Sequence, residues 1–417
     1  MGLMFKLAIR NVFRNRRRSL ITFSAVMIGI ASFIIMEGFT ESIQNQSILM
    51  LKKVETAHLK VFSKGYWDER NKEPLKYRIS DYSSVLKHIK NLKGVRAVTG
   101  RINFQVRMYK GRNEMPCIGT AIDIDGGDKN VFILQDSLVK GKFLAEGENV
   151  LLGVDIAKLF DAEPGSWVTI EFKDRNGVYD AIQAQVSGII NTGNPEIDQD
   201  VVFVPLNLAQ ERLAMKNEVT EIAVLLNSER KLDRFKKNLA SELSKLPGVH
   251  QKFETLSWKE QAADFLAFMR ADSQGSYIIV YILVVIIIAG IMNTMLMAVF
   301  ERVREIGTLM ALGMTKSQIK RMFLLEGAVI GGIGSIAGMI LGLIFMIPFS
   351  KNGINIAALY GSDVNMIYLV KNYIYGSVRF TPFMIAFLIG IGVALLASYL
   401  PARSAAKLKP VQALRRY

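Results

Sequence analysis

Between Tyr277 and Phe300 the chain runs for 24 residues without a charge. The hydrocarbon core of a bilayer is about 30 Å thick and takes a helix of about 20 apolar residues, so this run fixes the class of protein before anything else is read. Three further runs behave similarly: Leu20 to Met36, 17 residues with no charge; Met322 to Phe349, broken only by Glu326; and Phe380 to Ala402. The expectation is a membrane protein with four transmembrane helices, at 19–39, 277–300, 322–349 and 380–402.

Charge placement orients the spans. The formal net charge is +15, which by itself suggests nucleic acid. Residues 1–18, 301–321 and 403–417 hold 16 basic and two acidic residues, a net of +14 in 54 positions, and the other 363 positions carry +1. The excess flanks the apolar runs on alternate sides, which is the positive-inside pattern and not a nucleic-acid surface. Both termini and 301–321 are therefore expected in the cytoplasm, with 40–273 and the loop 350–379 outside.

Residues 1–18 alternate apolar and basic positions (Leu3, Leu7, Val12 against Lys6, Arg10, Arg14), which suits an amphipathic helix on an anionic membrane surface. Arg17-Arg18 faintly resembles a twin-arginine signal, but no small-residue cleavage site follows Met36. The first span is expected to be retained, its helix continuing as a stalk through Phe39, Ile43 and Leu51.

Beyond it the composition changes. Val54–Phe62, Arg101–Met108, Val150–Leu152, Trp167–Phe172, Ala181–Ile190, Val201–Val204 and Glu221–Leu226 are rich in β-branched residues and read as strands. Asp174-Arg175-Asn176-Gly177 is a tight hairpin signal. Helical runs interleave at Tyr82–Leu92, Ala209–Met215 and Lys231–Leu246, giving a large α+β domain between the first two spans. Val85–Val95 and Leu239–Val249 echo one another as helix followed by Gly-Val, a weak sign of two related lobes. Trp258, Ala262, Phe265, Leu266 and Met269 then share one face of a second stalk. In the third span, four-residue spacings put Gly327 with Gly331, and Gly334 with Gly338 and Gly342, on faces where helices approach closely. Glu326 enters that span near its cytoplasmic end and is expected either to snorkel to the surface or to pair with the basic segment before it.

That segment, Glu301–Gln318, is more ordered than a connector needs. Ile306, Leu309, Met310 and Gly313 fall on one helical face, Gly313 supplies a stop, and Thr315 with Gln318 forms a capping box, stapled by Met314 and Ile319. Helix, stop and new capped helix make a rigid elbow suited to docking a soluble partner. Chemistry of the chain's own is hard to find. No GxxxxGK[ST] loop or HExxH occurs, His58, His88 and His250 are scattered, and Asp123–Asp128 reads as a turn and not a calcium loop. Cys117 stands alone and reads as a small buried residue. No catalytic or metal site is expected, and energy must come from another chain.

Several stretches together resemble the FtsX/MacB-type permeases of ABC transporters: REIGTLMALGMTKSQI (Arg304–Ile319), GAVIGGIGSIAGMILG (Gly327–Gly342), PARSAAKLKPVQALR (Pro401–Arg415) and LLGVDIAKLFDAEPGSWVTI (Leu151–Ile170). MEGFTESIQNQ (Met36–Gln46) and GIINTGNPEIDQDVVFVPL (Gly188–Leu206) are similar to the lipoprotein-releasing LolC/LolE subunits. The resemblance implies a MacB-like periplasmic core domain and a non-catalytic permease subunit in the inner membrane. Its expected partners are a LolD-like ABC ATPase homodimer holding ATP and Mg, a second permease subunit and a lipoprotein extracted by mechanotransmission. A carrier-recruiting hook marks LolC-type subunits, but here the connection Lys173–Asp180 is a tight hairpin, which points toward a LolE-type or undifferentiated subunit. On this resemblance Arg304, Glu305, Leu309, Leu312, Gly313, Met314, Thr315 and Gln318 couple to the ATPase. Phe33, Met36, Phe39, Ile43, Phe265, Phe268, Met269, Tyr277 and Tyr281 are candidates to line a lipid cavity. The alternatives are a MacB-like exporter of peptide, toxin or drug, and an FtsX-like regulator of a cell-wall hydrolase.

Overall fold

Four helices are long and apolar enough to cross a membrane: Ser19–Thr56, Ala263–Glu301, Lys316–Asn352 and Phe380–Ala406. The computed structural model describes residues 2–14, 16–72, 74–243, 251–355 and 373–409. The described residues form two compact units, one from those up to Ile43 and from Phe268 onward, the other from Gln44–Ala267.

In the first unit an N-terminal helix, Gly2–Arg14, precedes the first span. Ala8, Asn11 and Val12 are buried while Lys6, Arg10 and Arg14 are exposed, so the amphipathic pattern is one of packing as well as charge. The second span, Ala263–Glu301, is 39 residues long, about 58 Å at 1.5 Å per residue, well beyond a hydrocarbon core. The third span packs against two others through its glycines. A Cβ at Gly334 would lie 2.8 Å from Val26 Cβ, and one at Gly338 would lie 2.7 Å from the Met27 carbonyl oxygen, with Ile34 3.1 Å from that of Gly342. These three face the first span. Gly331 instead faces the fourth, 2.5 Å from Ala394 Cβ, as does Gly327 against Ser398. Close approach also uses Gly29, against Ile287 of the second span, and Gly390, against Ser335; neither belongs to a periodic sequence stripe. At the other end of the first span, Ser42 accepts from the Ser377 amide at 2.6 Å and Glu41 pairs with Arg379 at 2.5 Å. The basic helix expected from Lys409-Pro410 onward, and residues 356–372 of the loop, lie outside the described residues.

The second unit is built on a ten-stranded sheet: β1 Leu59–Ser63, β2 Val95–Lys110, β3 Asn113–Ile122, β4 Leu138–Gly141, β5 Asn149–Gly153, β6 Trp167–Lys173, β7 Tyr179–Ile190, β8 Val201–Pro205, β9 Glu221–Leu226 and β10 Phe253–Ser257. Its order is β10-β1-β9-β2-β3-β8-β5-β7-β4, while β6 bridges β2 and β7. Strands β2, β3, β8, β5, β7 and β6 therefore close on themselves as a small barrel. Its interior is filled by Phe104, Val106, Ile170, Phe172, Ile182 and Val204, with Phe104 and Phe172 edge to face at 5.9 Å. The strands join one sheet and not two lobes, and residues 244–250 of the second echo lie outside the described residues.

Three strands of this sheet, β3, β4 and β10, lie outside the seven read from the sequence, and β3 is instructive. Pro116 and Gly119 look like breakers, yet Pro116 precedes the stretch Ile118–Ile122 that pairs with β8, so its missing donor costs no bond on that side. Gly119 is required because the Phe104 ring occupies the space of a side chain, 2.5 Å from a Cβ. Boundaries also shift, β2 beginning at Val95 and not at Arg101. Val54, read as strand, lies in the π-helical turn Lys52–Thr56 that ends the first stalk, and the helix read as Ala209–Met215 is Leu206–Arg212. The Asp174 turn forms as expected, its carboxylate accepting from the Asn176 and Val178 amides at 2.9 and 2.8 Å. Cys117 is buried, and burial, with Asp200 nearby, pushes its thiol up to about 12. Maleimide at pH 8 should therefore leave Cys117 unlabelled in the native protein and label it after denaturation; rapid native labelling would contradict that burial.

Candidate functional site

The elbow is assembled from local signals, each traceable to a few residues. The second-span helix breaks at Arg302 (φ −109°, ψ 18°), and a nine-residue helix, Val303–Ala311, follows. Gly313, at φ +99°, stops it. The Met314 amide donates to the Leu309 carbonyl at 3.0 Å and the Gly313 amide to Met310 at 3.1 Å, the paired bonds of a Schellman stop that only an achiral residue accommodates without strain. Thr315 then caps the third span. Its Oγ1 accepts from the Gln318 amide at 3.3 Å while Gln318 Oε1 accepts from the Thr315 amide at 2.8 Å, a complete capping box.

Beneath the turn, Val299, Ile306, Ile319, Met322, Phe323, Ala402 and Ala405 form a small core, with Leu309, Met310 and Met314 against it. Leu309 and Met314 thus hold the elbow's shape from inside. Arg304, Gly313 and Thr315 are exposed, and Leu312 is 79% exposed at the tip, an apolar knob on a basic rim. Gln318 is half-buried in its box. Glu305 accepts from Arg14 through both oxygens at 2.6 and 2.7 Å and from Arg302 at 2.9 Å. Burial works to raise its carboxyl, but the hydrogen bonds and charges of the two arginines outweigh that and hold it below the usual range. Glu326 is buried and accepts from Arg302 at 3.2 Å, which meets the expected pairing with the basic segment. Arg14 and Arg302 carried no signal in the sequence beyond being basic.

The lipid-cavity candidates separate. Phe33 and Met36 line an apolar groove with Val280, Leu283, Ile287 and Val393. Phe39 stacks on Phe349, ring centroids 5.8 Å apart, and Ile43 is half-buried one turn on. Phe268, Tyr277 and Tyr281 are exposed, whereas Met269 is buried and is not available to a ligand from its present position. Phe265 packs with Met50, Leu51 and Ala262, where the two helical legs meet, and so helps hold the second unit together.

Residues 277–410 match the FtsX-like permease C-terminal family, and residues 19–242 match the MacB-like periplasmic core domain. Lipoprotein-releasing system transmembrane protein LolC of Neisseria meningitidis serogroup B is 22% identical over 95% of this chain and 94% of its own length. LolE of Haemophilus influenzae is 27% identical over 66% of this chain and 65% of its length. A macrolide export ATP-binding/permease protein MacB of Yersinia pestis is 23% identical over 99% of this chain, which spans 58% of that protein's length. The periplasmic region of MacB from Actinobacillus actinomycetemcomitans superposes with a TM-score of 0.38 at 15% identity, over 52% of this chain and 95% of that one. With four transmembrane helices and a MacB-like periplasmic core domain between the first two, the chain belongs to the FtsX/MacB-type permeases of ABC transporters.

Proposed function

We propose that this chain is the permease subunit of an ABC transporter complex that extracts lipoproteins from the inner membrane, using ATP hydrolysed by a separate subunit. The observation that carries the reading is the end-to-end likeness to LolC, 95% of this chain against 94% of that one. In this reading a LolD-like ATPase homodimer, with its ATP and Mg, docks on the knob and rim at Arg304, Leu312, Gly313 and Thr315 from the cytoplasm, where both termini also lie. A second permease subunit, identical or not, completes the complex. The groove beside Phe33 and Met36 receives acyl chains, whose transfer out of lipid costs about 0.8 kcal/mol per CH₂ and so calls for an external energy source. The outer domain would pass the load on, with or without a periplasmic carrier. The chain itself performs no catalysis.

Export in the manner of MacB is the second reading, favoured by the 99% coverage of this chain in the Yersinia pestis alignment. Purifying the complex from native membranes and identifying the bound species by mass spectrometry separates the two. An acylated protein supports the first; a peptide or drug with no acylated protein rejects it. The elbow makes its own prediction. Proline cannot adopt the φ of +99° at Gly313, so Gly313→Pro should abolish ATP-driven transport while leaving the outer domain folded. Arg304→Glu should weaken co-purification of the ATPase, and unchanged transport in both variants would remove the elbow from the mechanism.

A further inference from the structure

Arg302 lies where an arginine is costly to keep. It occupies the break between the second span and the elbow helix, and its side chain is only 7% exposed. From there it holds two carboxylates on different elements: Nε donates to Glu305 of the elbow helix at 2.9 Å, and Nη1 to Glu326 of the third span at 3.2 Å. The guanidinium also lies 5.7 Å from the Phe323 ring centre. Glu305 is tied in turn to Arg14 of the N-terminal helix at 2.6 Å. Charges of alternating sign, Arg14–Glu305–Arg302–Glu326, therefore run through three helices. Buried ion pairs are often no more stabilising than apolar contacts of the same volume, so stability is a poor reason for this set. Geometry is a better one. A planar fork that binds two acceptors fixes orientation, whereas the apolar contacts under the elbow would allow it to roll.

We infer that Arg302 is the positioning residue that locks the elbow helix to the third span, so that force applied at the docking tip moves that span without slack. The Arg14–Glu305 pair makes the N-terminal helix part of the same body. This rests on the elbow being the ATPase docking site.

The test uses the full complex in nanodiscs, in a Cys117→Ser background, with spin labels at Thr308→Cys on the exposed side of the elbow and at Gly332→Cys, where nothing lies within 4 Å of the added atom. The parent should give one narrow distance, with or without a non-hydrolysable ATP analogue. Arg302→Met and the milder Glu326→Gln should broaden it when the analogue binds, Arg302→Lys less so. In the unlabelled variants, release per ATP hydrolysed should fall by about tenfold while hydrolysis continues. A narrow distance and unchanged release per ATP in Glu326→Gln and Arg302→Met would overturn the inference. Equal loss of hydrolysis, assembly and release would also overturn it, since that is what a merely structural role does. Failure of the transport reading looks different: the parent shows the narrow distance but releases no acylated protein.

Discussion

Replacing Gly338 with alanine should disrupt the packing of the first and third spans, although it adds a single methyl group. That methyl would sit 2.7 Å from the Met27 carbonyl oxygen and 2.8 Å from Ile30 Cβ, and a backbone atom cannot move aside as a side-chain tip can. Gly331→Ala meets the same obstacle on the other face, 2.5 Å from Ala394 Cβ and 3.0 Å from the Gly390 carbonyl oxygen. Overpacking of this kind costs about 1–3 kcal/mol or more, and the cost falls on the contacts that hold the spans together. Gly332 and Gly392 are the controls. Nothing lies within 4 Å of a Cβ at either, so alanine there should be neutral or gain up to about 1 kcal/mol of helix propensity. Thermal aggregation of the detergent-solubilised protein, followed by size-exclusion chromatography, reads all four. Equal behaviour of Gly332→Ala and Gly338→Ala would refute the packing.

The second large effect is expected in the outer domain. Arg101 and Asp128 are both buried and joined by two bonds at 2.7 and 3.1 Å, with the guanidinium 3.5 Å over the Phe132 ring centre. Arg101→Met leaves the carboxylate buried without its counter-charge, which costs about 3–5 kcal/mol. The exposed pair Lys140–Glu163 is the contrast, and Lys140→Met there should cost under about 1 kcal/mol. Trp67, Trp167 and Trp258 are the chain's only tryptophans and all lie in this unit, so intrinsic fluorescence reports its unfolding alone. The pH dependence has a definite sign. Burial already raises the Asp128 carboxyl above its ordinary 3.8, with Arg101 opposing. Without Arg101 it rises further, so the folded state binds a proton that the unfolded chain has lost. Stability then falls as pH rises through that window. The deficit of Arg101→Met should therefore shrink between pH 7 and pH 5, and a deficit that grows on acidification would contradict the assignment.

Features written in short stretches of sequence were the legible ones. The spans follow from apolar runs broken only at Glu326, and the glycine faces from a spacing of four that the helix converts directly into a side. The elbow reads well because a Schellman stop and a capping box each involve residues within six positions of one another. The strand expected at Glu221–Leu226 is β9 to the residue, because its apolar run Ile222–Leu226 stops at the turn residues Asn227-Ser228. Barrel closure left no such trace, since β6 bridging β2 is a long-range event. Strand β3 was hidden because Gly119 is explained only by the Phe104 ring across the ladder. The same holds for the ion pairs. Arg302 and Glu326 are 24 residues apart and Arg14 and Glu305 are 291, so sequence could suggest a basic elbow around Glu326 but not which arginine it would choose.

The central claim is that hydrolysis at a docked ATPase pulls an acylated protein out of the bilayer through this chain. Its most direct test is to rebuild the complex in proteoliposomes containing a triacylated lipoprotein and to measure the protein released into a soluble acceptor. Release is expected with hydrolysable ATP only, and its loss in Gly313→Pro should leave hydrolysis running. Steady hydrolysis by the intact complex with no acylated protein released would contradict it.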